Sequence, residues 1–200
     1  VGNDDIHNII VNEPSVSALL VEPVPWFFDK LKQNYRLISN PKRITFVNSV
    51  IHTYDGVCEF HCMNEVDYIF NYTTEKNWGL EISGVNLNLI KQHERYLKNQ
   101  QFQFETLNLQ CITPKSLIKK YNITDVEFLK IDAEGLDYKI IINWPFNLIR
   151  PRYLKFEQCH LDGTINSNTL STSLNTFLTN KGYSFFKDDG LDRIYILNNL

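Results

Sequence analysis

Two short apolar runs in this chain stop at acids. Phe128-Leu129-Lys130-Ile131 ends at Asp132, with Glu134 and Gly135 directly after it. A near copy, Tyr153-Leu154-Lys155-Phe156, ends at Glu157, and His160 follows three residues on. Runs of this length and composition read as buried strands. The acids then sit at strand carboxyl ends, where ligands bind in open α/β sheets. If the two strands lie side by side, Asp132 and Glu157 stand level with each other. Carboxylates with a histidine can take a proton from a weakly acidic group, because imidazole basicity lies near neutral pH. The same mixed N/O set could loosely hold Mn²⁺ or Mg²⁺. The plainer alternatives are a structural hydrogen bond for His160, and acids that only end strands or pair with Lys130 and Lys155. Two parallel copies favour a site. A buried ammonium is costly without a partner, so Lys130 and Lys155 read as structural groups that orient the acids.

A third acid, Glu22, closes the run Ala18-Leu19-Leu20-Val21 in front of Pro23. In nucleotide-binding α/β folds a carboxylate there accepts from ribose hydroxyls. The glycine-rich turn that ought to precede it is missing, since only Gly2 stands upstream. We expect a chain that begins inside that loop, so that the first strand of the sheet is truncated. His7, His52, His61 and His93 have no recognisable partner in sequence and read as unremarkable.

Strands and helices must alternate to position these groups. Residues 6–13, 24–38, 85–99, 114–121, 137–143 and 170–180 read as helices. Residues 18–21, 44–51, 57–62 and 102–112 read as strands, together with the two acid-ended runs. Thr113 and Pro114 form a helix start. Asp188-Asp189-Gly190 joins a closing hairpin of residues 183–186 and 193–197. Alternation of this kind predicts a mostly parallel sheet with helices on both faces and a C-terminal antiparallel hairpin. Two hundred residues suit one domain, spanning 1–200, and are enough to bury a core. The net charge of −3 is scattered, which leaves no nucleic-acid footprint. No run approaches a bilayer span. The four cysteines lack zinc-type spacing and read as reduced thiols.

Several stretches together resemble the FkbM-type S-adenosylmethionine-dependent methyltransferases. They are Leu20 to Pro25, Leu31 to Tyr35, Phe46 to Ile51, Asp55-Gly56, Leu129 to Gly135 and Phe156 to Leu161. The resemblance covers nearly the whole chain. It implies a class I methyltransferase (Rossmann-like) α/β fold and O-methylation of a sugar or glycan hydroxyl, with a terminal deoxysugar such as rhamnose as the specific expectation. It assigns Asp132, His160 and Glu157 to catalysis. It assigns Gly2, Asn3, Glu22, Pro23, Asn48, Ser49, Val50, Asp132 and Glu134 to S-adenosylmethionine. No residue is assigned to a metal, although a divalent ion stays open. Trp78 could stack on a sugar ring, with core packing as its plainer role. The rivals are a binding module that kept the fold without catalysis, and a different nucleotide-using enzyme. Only residues 1–5 can belong to the family's cofactor loop, so we expect a module cut from a longer protein. Such modules occur in multidomain viral and bacterial glycan-building proteins, where fusion to glycosyltransferase domains is expected. A cytoplasmic location, of the host cell if viral, goes with that reading.

Overall fold

The computed structural model describes residues 5–38, 40–67, 82–93, 103–161, 163–164 and 169–198. Gly2, Asn3 and Trp78 lie outside the described residues, as does most of the loop 162–168. The chain divides into two compact units, Val1–Val50 and Ile51–Leu200.

The first unit holds helix α1 (Asp5–Asn12), strand β1 (Ala18–Val21), helix α2 (Pro25–Asn34) and strand β2 (Ile44–Val47). Helix α2 starts with Pro25, whose missing N–H is no loss in a first turn. β1 and β2 pair in parallel, Ala18 against Ile44 through Val21 against Val47. Ile10, Tyr35 and Ile44 form the small core of this unit. The Arg43 guanidinium donates to the carbonyls of Ile10 and Val16, which ties the end of α1 and the approach to β1 to β2. The expected strand 44–51 is broken at Asn48 and Ser49 and resumes as a two-residue strand, β3 (Val50–Ile51), at the unit boundary.

The second unit opens with a long antiparallel ribbon, β4 (Gly56–Met63) against β5 (Phe104–Ile112). Helix α3 (Leu87–His93) falls between them in sequence. Helix α4 (Pro114–Lys120) follows β5, and the Thr113 side chain caps it by accepting from Ser116 N at 3.1 Å. Asp55 secures this corner by accepting from Thr113 N and from the Ser116 hydroxyl, each at 2.6 Å. Strand β6 (Phe128–Ile131), helix α5 (Asp137–Ile142), strand β7 (Tyr153–Glu157) and helix α6 (Ser171–Asn180) come next. The hairpin β8 (Tyr183–Asp188) and β9 (Asp192–Leu197) closes the chain. The last four strands form one sheet in the order β6-β7-β9-β8. The main core of the unit packs on it, with Ile131, Ile141, Leu154, Phe156, Leu174, Leu178 and Tyr195 all buried.

The architecture is therefore α/β, but the expectation of a mostly parallel sheet needs correcting. Among the described residues the sheets are mixed. Only β1–β2 and β6–β7 are parallel among the registered pairs, while β4–β5, β7–β9 and β8–β9 are antiparallel. The strand expected over 102–112 is described as β5 (Phe104–Ile112), and it returns antiparallel along β4. Cys58, Cys62 and Cys111 are buried and all four cysteines are free thiols. Among the described residues no helix is long and apolar enough to cross a membrane.

Candidate functional site

In the first unit, Glu22 and Asn48 leave parallel strands at the same carboxyl edge. Glu22 N still donates to Val47 O, so the ladder runs one residue past β1. Pro23 then ends it, because proline has no N–H to give. The Glu22 carboxylate turns back and accepts from Val24 N at 2.8 Å. The Asn48 amide donates to the carbonyls of Glu22 (2.8 Å) and Pro23 (2.9 Å). The Asn48 side chain thus braces the turn that presents Glu22. Val50 is buried, and Ser49 is half-buried.

In the second unit, parallel register sets Phe128 against Tyr153 and Ile131 against Phe156. The next residues along each strand are Asp132 and Glu157, level at one sheet edge. Asp132 is the open member, with its side chain 52% exposed and 3.5 Å from Lys130 Nζ. Lys155 reaches Asp192 at 2.9 Å across the β7–β9 pair, so it clamps the sheet.

The loop after Asp132 is sharply wound. Glu134 has φ 44° and Gly135 has φ 90°. The left-handed region costs a residue with a β-carbon about 1 kcal/mol or more, and such residues concentrate at functional loops. A β-carbon on Gly135 would stand 2.7 Å from Gly163 Cα, so the two glycines let this loop and the segment after His160 touch. Asn86 fastens the contact by donating to Gly163 O at 2.9 Å, and Gly163 N donates to His160 O at 2.8 Å.

This winding buries acids beside one another. Asp137, in the first turn of α5, is 0% exposed and accepts from Ala133 N at 3.2 Å. Glu134 Oε2 and Glu157 Oε2 are buried with no hydrogen-bond partner among the described residues. Burial raises the Glu134 carboxyl to about 8, with Asp132 and Asp137 adding to it. Burial, then Glu134, Asp132, Asp137 and Asp192, raises Glu157 to about 9. Asp137 rises to about 7, through burial and then Asp132, against the pull of backbone N–H groups. Near neutral pH, Glu134 and Glu157 therefore hold protons.

His160 lies 3.8 Å from Glu157 Oε1, but its basicity is lowered by burial and then by a second imidazole. The contact consequently joins two neutral groups. The second imidazole is His93, which we had read as unremarkable and which the fold brings to the site. His93 is 3% exposed, and its Nε2 is 3.1 Å from His160 Nε2. Its Nδ1 lies 2.9 Å from Leu89 O, a group that only accepts, so Nδ1 carries the proton and the Nε2 lone pair faces His160. One ligand atom each from His93, Glu134 and His160 lies within 4.8 Å of the others, and the same holds for Asp132, Glu134 and Glu157. Sequence reasoning missed two members, His93 and Asp137. His93 follows Leu89 and Ile90 on the inward face of α3, which is the pattern of a core residue. Asp137 carried the ordinary signature of a first helical turn.

The family model for the methyltransferase FkbM domain fits residues 8–185. No curated protein and no solved structure matches the chain.

Proposed function

We propose that this chain, which belongs to the FkbM methyltransferase family, is an S-adenosylmethionine-dependent O-methyltransferase acting on a sugar or glycan hydroxyl. The observation that carries the reading is the family match across residues 8–185. The two acid-bearing edges support it. The finer fold reading, a class I methyltransferase sheet, is supported by the parallel pair β6–β7 with an antiparallel strand added beside β7.

The residues present fit the cofactor at the Glu22 edge. A carboxylate accepts only, and this one is held at a strand end by a backbone N–H and a braced turn. It suits a vicinal diol, so Glu22 would hold the ribose, with Pro23, Asn48, Ser49 and Val50 bordering the adenine. When bound, S-adenosylmethionine supplies a methyl group on a sulfonium, open to displacement by an oxygen in line with it.

The chain's own task is then to align an acceptor hydroxyl and take its proton. Of the groups at the second edge, Asp132 suits the base best, because it is the exposed acid. Glu157 and Glu134 keep their protons, and His160 is turned toward His93. Glu157 and His160 are positioning groups in this reading. Rhamnose-type deoxysugars are the acceptors we would try first.

The test is methyl transfer from isotope-labelled S-adenosylmethionine to a panel of rhamnosides and other glycosides, at saturating cofactor. Asp132→Asn should lower turnover about 10²–10⁴-fold while the fold is kept, as expected for a positioned base. Full turnover in Asp132→Asn would remove Asp132 from the mechanism. Absence of transfer to every hydroxyl in the panel, with cofactor bound, would count against the acceptor class.

A further inference from the structure

Proton transfer leaves unexplained why the buried His93 meets His160. We propose that His93, His160 and Glu134 form a binding site for one first-row divalent cation of the Mn²⁺ or Zn²⁺ kind. Nitrogen ligands stand about 2.0–2.1 Å from such a cation, so two of them sharing it are about 3.0 Å apart at a right angle and about 3.4 Å apart in a tetrahedron. The His93 and His160 Nε2 atoms are 3.1 Å apart. The Glu134 ligand atom lies no farther than 4.8 Å from either, while ligands on opposite sides of such an ion span about 4.2 Å.

A metal-binding histidine usually gives its other N–H to a carbonyl or carboxylate, which fixes its tautomer and its ring plane. His93 does so through Nδ1 to Leu89 O, one helical turn earlier. Glu134 is held in a left-handed backbone conformation, with Gly84 and Gly135 packed close about the loop. Its fixed position brings the carboxylate to the imidazoles.

Glu134 Oε2 and Glu157 Oε2 are both buried without a hydrogen-bond partner among the described residues. Glu134 also belongs to the neighbouring trio with Asp132 and Glu157. A cation at the imidazoles therefore sits against up to three acids and gives a buried acid oxygen the partner it lacks. Two imidazoles with a carboxylate favour a borderline transition metal over Mg²⁺ or Ca²⁺, which take oxygen donors. On the reading of the protein as an O-methyltransferase, such a cation would make an acceptor hydroxyl more acidic beside Asp132.

The experiment uses the full chain stripped with a chelator. Mn²⁺ is titrated in, and the loss of the free-ion paramagnetic resonance signal is followed, with calorimetry for Zn²⁺ and Mg²⁺. One Mn²⁺ per chain is expected, with Mg²⁺ at least tenfold weaker. Glu134→Gln and His93→Gln should each weaken Mn²⁺ binding tenfold or more, in samples whose circular dichroism matches the parent. Two variants are used because His93 is buried and its replacement could unfold the chain. Absence of a bound Mn²⁺ and Zn²⁺, or unchanged affinity in a folded Glu134→Gln, would overturn the inference. Mn²⁺ binding without methyl transfer would sink the proposed function alone. Methyl transfer by chelated protein that binds no Mn²⁺ would sink the cation site alone.

Discussion

Glu157→Gln should stabilise the metal-free protein at pH 8 and leave it nearly unchanged at pH 5. In the folded chain the Glu157 carboxyl is raised from 4.5 to about 9, mainly by burial. Below pH 4.5 the group is protonated folded or unfolded and contributes nothing that titrates away. Between 4.5 and 9 the folded chain keeps the proton that the unfolded chain gives up. Stability present in acid is therefore lost as pH rises through that window, at about 1.4 kcal/mol per pH unit for one group. By pH 8 that is a ceiling of about 5 kcal/mol. Glu134, Asp132, Asp137 and Asp192 add to the rise that burial causes, so the figure belongs to the acid cluster and not to Glu157 alone. Residual solvent access lowers the figure further, and a gain of about 2 kcal/mol at pH 8 is the working expectation. Glutamine keeps the shape and removes the titration. The assay is urea denaturation of both proteins at pH 5 and pH 8 with a chelator present. Equal stability at pH 8, or an equal gain at both pH values, would refute the reasoning, because neither outcome follows from a buried titrating acid.

Other perturbations bear on other parts of the fold. Glu22→Ala should weaken S-adenosylhomocysteine binding about tenfold or more, from a charge-assisted pair of about 1.5–3 kcal/mol, read by calorimetry; unchanged affinity would move the ribose elsewhere. Gly135→Ala should cost several kcal/mol in urea, since the new β-carbon meets Gly163 Cα at 2.7 Å and φ is 90°; a shift under about 0.5 kcal/mol would show that the loop contact is soft. Thr113→Ala should cost about 1 kcal/mol through the lost cap on Ser116 N, with no loss of cofactor affinity.

Local chemistry made several elements legible. Ala18–Val21 was readable because an apolar run stops at Glu22-Pro23, and Thr113-Pro114 announced α4 because both residues solve a helix start. The hairpin at Asp188-Asp189-Gly190 carried its turn in its own residues, and Asp188 and Asp189 do accept from the turn's backbone N–H groups. The level placement of Asp132 and Glu157 was anticipated from the twin runs and is set by the β6–β7 register. What local pattern cannot carry is partnership between distant residues. The β4–β5 ribbon joins Gly56 to Cys111 across more than fifty residues, so its antiparallel sense was not visible and the sheet was expected to be more parallel than it is. His93 meets His160 across 67 residues, and nothing beside His93 in the chain distinguishes it from a core residue. Lys155 was read as a group that orients the acid ending its own strand, and the antiparallel return of β9 adds Asp192 at 2.9 Å, a partner that its own stretch does not show.

The most direct measurement on the central claim is a calorimetric titration of the full chain with S-adenosylhomocysteine, beside NAD and a set of nucleotide-sugars. The account predicts one saturable site for S-adenosylhomocysteine, weakened in Glu22→Ala, and no binding of the other two. Binding of NAD or a nucleotide-sugar without S-adenosylhomocysteine would make this a different nucleotide-using enzyme. No binding by any of the three would leave a module that keeps the family's fold without its cofactor, and would contradict the claim outright.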